Sequence, residues 1–262
     1  MARISIELVP RTQKEFIKEL EVLSEHYSSF ERVNIPDSAR FALNSWDACD
    51  IARSYVPHAI PHVRACDFDL SHSIAELPFA KSIELGLLTE LLIVRGDPQH
   101  VTEEGVEVWQ NDTTTIDLIS AIKSQWPTVK LYAAIDPYRQ SLKEELTYAK
   151  QKVQAGADGF FTQPFFDIKL LNQYADEIEN LLPDLYFSGD IYWGLSPAVG
   201  IKSQSYWQKV NRVSFPSDFR PTLDWNRQHS KNAIGWAKRR TQSLYFMPIK
   251  VDLIEYLKDI LW

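Results

Sequence analysis

Two hydrophobic patterns alternate along the chain from one end to the other. Short, nearly continuous apolar runs recur eight times, which is typical of strands that are buried on both faces of a parallel sheet. The predicted strands cover residues 4–9, 32–35, 59–65, 90–94, 130–135, 159–165, 185–192 and 244–249. Each run is followed by a segment with a different hydrophobic period.

In these following segments, apolar residues recur at three- and four-residue steps, which predicts helices with one buried face. In the first segment, Phe16, Leu20 and Leu23 lie opposite Lys14 and Lys18. The predicted helices cover residues 13–27, 38–52, 70–85, 115–125, 142–155, 168–182, 201–212, 224–242 and 253–261. Eight strand–helix units, one with an extra helix, predict a single-domain (β/α)8 TIM barrel over residues 1–262. A doubly wound open sheet is the alternative.

Composition and charge narrow the class of protein. Hydrophobic residues make up 45% of the chain and the mean hydropathy is -0.26, so a large core can form. The formal net charge of -7 and the pI near 5.4 argue against a nucleic-acid partner, although a local basic pocket for an anionic cofactor is compatible with them. No apolar run approaches the ~18 residues of a membrane span, so we expect no membrane partner.

The two cysteines and the histidines do not suggest a disulfide or a metal site. Cys49 and Cys66 lack CxxC spacing, which predicts reduced thiols and a cytoplasmic location. His58, His62 and Cys66 are four residues apart, as metal ligands on a helix would be. Pro61 and the apolar run indicate a strand instead, and four strand residues span roughly 13 Å. We therefore expect no bound metal.

In a barrel of this kind, the active site forms at the carboxyl ends of the strands and in the loops that follow them. Polar residues near the predicted strand ends are Glu7, Asn34, Asp37, His62, Arg64, Asp67, Arg95, Asp97, Asp136, Thr162, Gln163, Asp190 and Lys250. The longest connection, over residues 96–114, is expected to be a lid or a binding loop. We also expect Tyr192, Trp193 and Trp225 near loops, where they can stack on a flat ligand. Dinucleotide, phosphate-loop, nucleophile-elbow and zinc-protease motifs are absent from the sequence.

Glu7 and Asp97 are the candidate catalytic carboxylates. Glu7 lies between Ile6 and Leu8, so strand alternation directs its side chain into the barrel, where desolvation raises a carboxyl pKa. It is therefore a general-acid candidate, with a structural hydrogen bond at the barrel mouth as the alternative. In Arg95-Gly96-Asp97, Gly96 permits close approach of the backbone to a ligand and Asp97 supplies negative charge. An ordinary strand-ending turn is the alternative for this tripeptide.

Collinear landmarks extend over nearly the whole chain. They are Ile-Glu-Leu-Val-Pro-Arg-Thr at 6–12, Val-Asn-Ile-Pro-Asp at 33–37, Pro-His at 61–62, Arg-Gly-Asp at 95–97, Lys-Val-Gln-Ala-Gly-Ala-Asp at 152–158, Thr-Gln-Pro-Phe-Phe-Asp at 162–167 and Gly-Leu-Ser-Pro at 194–197. Together they resemble the methylenetetrahydrofolate reductase family, flavoprotein barrels that reduce methylene-tetrahydrofolate to methyl-tetrahydrofolate. The resemblance implies a role in the one-carbon metabolism that serves methionine biosynthesis.

The resemblance also implies roles for individual residues. Glu7 would be the general acid, Asp97 would stabilise the cationic folate, and Gln163 would bind the pterin. Ile201 stands where an aromatic residue sandwiches the nicotinamide or the folate. The implied FAD contacts are Asn34, His62, Arg95, Gly96, Ala134, Glu145 and Lys152. NADH or NADPH would supply the hydride, and the choice between them stays open, as does a homo-oligomeric state.

Three departures from the family pattern keep other functions open. The segment 134–139 is shorter than the flavin-contacting loop of the family and lacks its histidine, Asn34 replaces a threonine, and Ile201 replaces an aromatic residue. Hydride transfer directly from NAD(P)H to the folate is one alternative. A folate-dependent methyl or C1 transferase is another, and a non-catalytic folate- or flavin-binding subunit with a partner is the third.

Overall fold

The computed structural model describes residues 3–26, 32–38, 41, 43–103, 106–181, 187 and 189–261. Eight parallel strands close into a barrel, in chain order, and the last strand pairs with the first. The barrel strands are β1 (Ile4–Glu7), β2 (Arg32–Ile35), β3 (His58–Arg64), β4 (Glu90–Val94), β7 (Lys130–Ile135), β8 (Gly159–Pro164), β9 (Asp190–Leu195) and β10 (Ser243–Phe246). A short antiparallel hairpin, β5 (His100–Val101) and β6 (Glu107–Val108), lies in the connection after β4. The predicted (β/α)8 barrel is confirmed.

Helices connect the strands. They are α1 (Gln13–His26), α2 (Ser45–Ala52), α3 (Ala80–Glu84), α4 (Thr115–Gln125), α5 (Leu142–Ala155), α6 (Ile168–Leu181), α7 (Gly200–Lys209), α8 (Leu223–Arg240) and α9 (Leu253–Leu257). Capping boxes set the starts of two of them, with Thr114 and Asp117 before α4 and Ser141 and Glu144 before α5. Gly156 ends α5 with a φ of 114°, which glycine adopts without strain. Local signals therefore position α5, which carries two of the predicted cofactor residues.

Several predicted helices are shorter in the structure: the helix predicted over 253–261 ends at Leu257, and the largest differences are in those predicted over 38–52 and 70–85. The first begins at Ser45, because the preceding residue has an extended backbone. The second begins as α3 only after Pro78, because proline has no backbone N–H to continue a helical ladder. The predicted helix ends at 27 and 182 lie outside the described residues.

The seventh barrel strand lies later in the chain than the prediction of 185–192, of which residues 185, 186 and 188 lie outside the described residues. Asp190, expected at a carboxyl end, begins β9 at the amino end, where its carboxylate pairs with Lys130 at 3.1 Å. Gly194 belongs to the strand because its inner side touches β8. A Cβ at this position would lie 2.8 Å from the carbonyl oxygen of Gln163.

This shift places Tyr192 and Trp193 inside a strand, so the expectation that they lie near a loop and stack on a ligand is wrong. Tyr192 stacks on Phe161 with ring centroids 4.5 Å apart and an interplanar angle of 6°. Trp193 packs against Trp236 at 5.7 Å. Both rings are almost fully buried and contribute to packing.

The interior of the barrel is filled from the amino end upward. At that end, two ion pairs each join strands that are separated by one other strand, Arg32–Glu90 between β2 and β4 at 2.7 Å and Lys130–Asp190 between β7 and β9 at 3.1 Å. We call them the amino-end ion pairs. The middle is packed by Ile60, Leu92, Tyr132, Phe161, Tyr192, Tyr245 and Met247. A ligand therefore has its access at the carboxyl ends of the strands.

Two features are absent from the described residues. None of their helices is both long enough and apolar enough to cross a membrane. Within the same ranges, no three His, Cys, Asp or Glu side chains are grouped so that they could hold a metal ion.

Candidate active site at the carboxyl end of the barrel

Glu7 is the last residue of β1 and lies at the carboxyl end of the barrel interior. Its side chain is directed inward and only 8% of the residue is exposed. The hydroxyl of Tyr245 donates a hydrogen bond to Glu7 Oε2. Burial raises the pKa of Glu7 to about 7, although the Tyr245 hydrogen bond and the charge of Arg11 oppose this shift. Glu7 can therefore carry a proton at neutral pH.

Tyr245 is a site residue that sequence reasoning missed. It lies on β10, pairs in register with Ser5 and Gly194, and is buried. Burial, followed by the charge of Glu7, raises its pKa well above the usual range, so the phenol stays protonated and donates. Strand alternation could have indicated that Tyr245 points into the barrel, because it lies between Leu244 and Phe246, which face outward.

Three polar side chains continue from Glu7 around the barrel mouth. Ser5 Oγ donates to Asn34 Oδ1 at 2.5 Å, and Asn34 Nδ2 lies 3.4 Å from His62 Nε2. Because an amide nitrogen only donates, His62 Nε2 accepts and its proton lies on Nδ1. Burial lowers the pKa of His62 to about 3, so the ring is neutral. We call Tyr245, Glu7, Asn34 and His62, on neighbouring strands, the polar arc.

The side of the mouth opposite the polar arc is formed by small or weakly bonded residues. Ala134 ends the inward positions of β7 and is half-buried, and Gly194 has no side chain. Gln163 on β8 is half-buried, and its amide has no hydrogen-bond partner in the described part of the chain. The structure therefore places Glu7 and Gln163 at the same mouth, with space between the two sides.

Asp97 and Gly96 lie beyond β4. Gly96 has a φ of 91°, and a Cβ there would lie 2.5 Å from Cys66 Sγ, so the turn requires glycine. The Asp97 side chain is exposed and makes no hydrogen bond within the described ranges. Next to this turn, Arg64 forms an ion pair with Asp67 at 3.4 Å.

Arg95 anchors the long connection after β4. Its guanidinium lies 4.4 Å from the ring centroid of Trp109 and donates to the carbonyl oxygens of Asp112, at 3.1 Å, and Thr113. This connection carries the β5–β6 hairpin. The predicted cofactor contact of Arg95 thus competes with a role in holding the connection.

Glu145 and Lys152 on α5 form an almost fully buried ion pair at 3.6 Å. Lys152 Nζ also donates to the carbonyl oxygen of Ala134 at 2.6 Å. The Glu145 carboxylate accepts from the backbone N–H of Asp136 at 3.1 Å and from the Gln140 amide at 2.6 Å. The bonding capacity of the pair is therefore used by the loop between β7 and α5.

These contacts test whether the predicted residues fit FAD. The diphosphate of a dinucleotide is normally bound by cationic side chains or free backbone N–H groups. Arg95 and Lys152 are the cationic members of the predicted set, and both are engaged by the chain itself. The direction of a side chain at Gly96 is filled by Cys66. In this arrangement the predicted set does not fit FAD.

The remaining predicted residues lie at the rim. Ile201 on α7 is 79% exposed, and Lys250 lies 4.6 Å from the ring of Tyr206. Trp225 is half-buried and stacks on His229 with centroids 5.1 Å apart, so one face of its ring is already covered. The structure thus brings Glu7, the rest of the polar arc and Gln163 together, and leaves Ile201 on the outer edge.

Comparison with known proteins identifies the family. The profile of the family described as methylenetetrahydrofolate reductase matches residues 3–242, which is most of the chain. The chain belongs to the methylenetetrahydrofolate reductase family. Its membership supports a folate-related reductase at the family level, and this family generally binds FAD and uses NAD(P)H.

Sequence relatives within this family are distant. Methylenetetrahydrofolate reductase (NADH) 1 of Arabidopsis thaliana is 28% identical over 108 residues, covering 36% of this chain and 18% of that protein. Methylenetetrahydrofolate reductase (NADH) 1 of Zea mays is 23% identical over 158 residues, which cover 55% of this chain and 26% of that protein. The matches thus span about a quarter or less of these relatives' length.

Solved structures share the fold of this reductase-family chain. An uncharacterised Clostridium thermocellum protein that binds two copies of 5-methyl-5,6,7,8-tetrahydrofolic acid superposes with a TM-score of 0.64 at 11% identity, covering 99% of this chain and 92% of its own. An uncharacterised B. cereus protein gives a TM-score of 0.53 at 10% identity, with 100% and 65% coverage. At these identities the likeness shows the fold.

Proposed function

We propose that this protein reduces 5,10-methylenetetrahydrofolate to 5-methyltetrahydrofolate with NADH or NADPH. Family membership supports a folate-related reductase. The observation that carries the proposal is Glu7, a buried carboxyl with a pKa of about 7 at the barrel mouth. A group with a pKa near the working pH is suited to general-acid catalysis.

Glu7 acts on the methylene bridge of the folate. It donates its proton to N10 as the bond between N10 and the methylene carbon breaks, and the electrons of that bond stay on N10. This leaves an iminium cation between N5 and the carbon. One hydride from NAD(P)H converts the iminium into the methyl group and leaves NAD(P)⁺. Glu7 then recovers its proton from solvent.

Two further side chains act on the substrate in this proposal. The Asp97 carboxylate favours the positive charge of the iminium through its own negative charge. The Gln163 amide, which can donate and accept, bonds to the edge of the pterin. Ile201 supplies an apolar contact at the rim. We place this reaction in the one-carbon metabolism of the cytoplasm.

FAD as an intermediate hydride carrier is an expectation at the family level. Because the predicted residues do not fit FAD in this arrangement, none of the proposed steps depends on it. The same observation favours a second candidate, a folate-dependent methyl or C1 transferase on the same barrel. A non-catalytic folate- or flavin-binding subunit would need a partner.

The test mixes purified protein with 5,10-methylenetetrahydrofolate and either NADH or NADPH, and follows both dihydronicotinamide oxidation and formation of 5-methyltetrahydrofolate. The wild type is expected to turn over with at least one reductant, and the Glu7→Gln variant to be strongly impaired. Folate binding without oxidation of either reductant by the folded wild type would favour the transferase. A folded protein that is inert with both reductants and is recovered together with a partner protein would favour the non-catalytic subunit.

A further inference from the structure

We infer that NAD(P)H passes its hydride directly to the folate in this protein, with no bound flavin between them. The inference rests on the proposed reduction and concerns the path of the hydride. Three observations carry it: the closed ion pair on α5, the fixed loop before it, and the polar arc with an unused donor.

The first observation is that the ion pair between Glu145 and Lys152 on α5 has no unused hydrogen-bonding group for a dinucleotide. Lys152 lies 4.0 Å from the ring centroid of Tyr148 and donates to Ala134, while Glu145 is bonded at both carboxylate oxygens. A ligand that recruited either residue would leave the other charge buried without its partner, which is strongly unfavourable. The pair is therefore part of the barrel wall.

The second observation is that the loop between β7 and α5 is closed onto its neighbours. The Asp136 carboxylate accepts from the Tyr138 backbone N–H at 3.0 Å, and the Tyr138 hydroxyl donates to the Pro164 carbonyl oxygen at 2.9 Å. Arg139 forms ion pairs with Asp136 at 3.4 Å and with Glu107 of the β5–β6 hairpin at 3.7 Å. The loop thus bridges β8 and the hairpin, and its Tyr138 and Arg139 side chains are engaged by the chain itself.

The third observation is a donor in the polar arc that the chain does not use. His62 accepts from Asn34 at Nε2, and its Nδ1 has no partner in the described part of the chain. A neutral imidazole N–H suits an uncharged carbonyl acceptor such as the carboxamide oxygen of nicotinamide. His62 and Gln163 lie at the same end of the barrel, so a nicotinamide ring bonded to His62 would share the mouth with a folate bonded to Gln163.

The transfer is balanced without another reactant. The C–H bond at C4 of the dihydronicotinamide breaks, and its hydrogen and electron pair form a new C–H bond at the iminium carbon. The nicotinamide becomes the oxidised cation, and the methylene carbon becomes a methyl group. The proton from Glu7 stays on N10 of the folate.

The test uses NADH and NADPH deuterated at C4, in separate samples for each face of the ring, in ordinary water and with no added flavin. Mass spectrometry of 5-methyltetrahydrofolate is expected to show one deuterium in the methyl group for one of the two faces. The purified protein is expected to show no flavin absorbance, and added FAD to leave the rate unchanged.

The outcomes separate the inference from the proposed function. A hydrogen received by a reduced flavin exchanges with water, so unlabelled product together with FAD-dependent turnover would overturn direct transfer and leave the reduction standing. A folded protein that fails with both reductants, with and without FAD, would overturn the reduction and this inference with it.

His62 variants test the place of the nicotinamide. His62→Phe is expected to raise the KM for NAD(P)H about tenfold, which corresponds to one hydrogen bond, and to leave the KM for folate within about twofold. His62→Asn retains a donor and is expected to recover part of the affinity. A rise confined to the folate KM would show that the ring lies elsewhere. Thermal unfolding of both variants controls for folding.

Discussion

At the amino end of the barrel, two ion pairs join alternate strands: Arg32 with Glu90, and Lys130 with Asp190. At the carboxyl end, the Glu7 carboxyl group contacts a neutral phenol, and the Gln163 amide has no partner within the described residues. Both ends place polar side chains inside the barrel. They differ in whether each polar group is matched by another group of the chain.

This difference separates residues that stabilise the barrel from residues that can act on a ligand. A buried charge with its partner is stabilised and closes the barrel, whereas a buried carboxyl without a cationic contact keeps its proton to a higher pH. The α5 ion pair shows that a position near the carboxyl end of the barrel does not by itself make a residue a ligand contact. Glu145 and Lys152 are paired with each other, like the residues of the amino-end ion pairs. Matched bonding thus distinguishes wall residues from candidate ligand contacts.

The largest expected effect is on the unmatched carboxyl. Glu7→Gln keeps the shape of the side chain and removes its transferable proton, so kcat should fall by about 10²–10⁴-fold. Steady-state kinetics measures this fall, and circular dichroism checks that the variant is folded. A kcat close to that of the wild type would show that another group supplies the proton.

Substitutions in the amino-end ion pairs should lower the stability of the protein and leave its kcat unchanged. Arg32→Met removes the nearest cation from the half-buried Glu90, which keeps His58 and the Tyr132 hydroxyl as partners, so the free energy of unfolding should fall by about 3 kcal/mol. Urea denaturation measures the loss, and kcat per folded molecule should be unchanged.

Arg53→Met provides the matched control, because it breaks a more exposed ion pair with Asp50 and should cost about 1 kcal/mol or less. Equal losses in the two variants would contradict the distinction between buried and surface pairs.

The next largest effect is the pH dependence of stability that Glu7 confers at the carboxyl end of the barrel. The folded-state pKa of Glu7 is raised from 4.5 to about 7, so the unfolded chain loses this proton first as the pH rises. The protonation of Glu7 therefore contributes to the free energy of unfolding below pH 4.5. This contribution, about 3 kcal/mol, is lost as the pH rises to about 7.

The difference in free energy of unfolding between wild type and Glu7→Gln should shift by this amount, in favour of the variant, over that window. Urea denaturation at a series of pH values measures it, and other groups cancel because both proteins carry them. A constant difference would mean that Glu7 titrates normally.

The smallest expected effect concerns the neutral partner at the carboxyl end. The Tyr245 hydrogen bond opposes the rise in the pKa of Glu7, so Tyr245→Phe should move the alkaline limb of the pH–rate profile to higher pH. Tyr256→Phe is the control. It removes a buried hydroxyl on α9, which is hydrogen-bonded to Ser230 on α8 at 2.7 Å and lies outside the polar arc. A shift of equal size in both variants would assign the effect to general loosening.

Sequence periodicity predicted the parts of the fold that depend on local order. The eight strands and the crossover helices follow from apolar runs and helical steps, and alternation directed Glu7 inward. The boundary error at β9 arose where an apolar run precedes the strand, so Asp190 was expected at the wrong end. The strand includes Gly194 because β8 approaches it closely, and such proximity is not a property of the local sequence.

The sequence by itself determined the barrel and the inward direction of Glu7, because strand and helix periods are properties of neighbouring residues. Only the tertiary structure decided what each polar group meets. Tyr245 reaches Glu7 across 238 positions through closure of β10 onto β1, and Arg32 reaches Glu90 across 58. Desolvation and pairing depend on such distant contacts, and they decide which carboxylate holds a proton and which belongs to the wall.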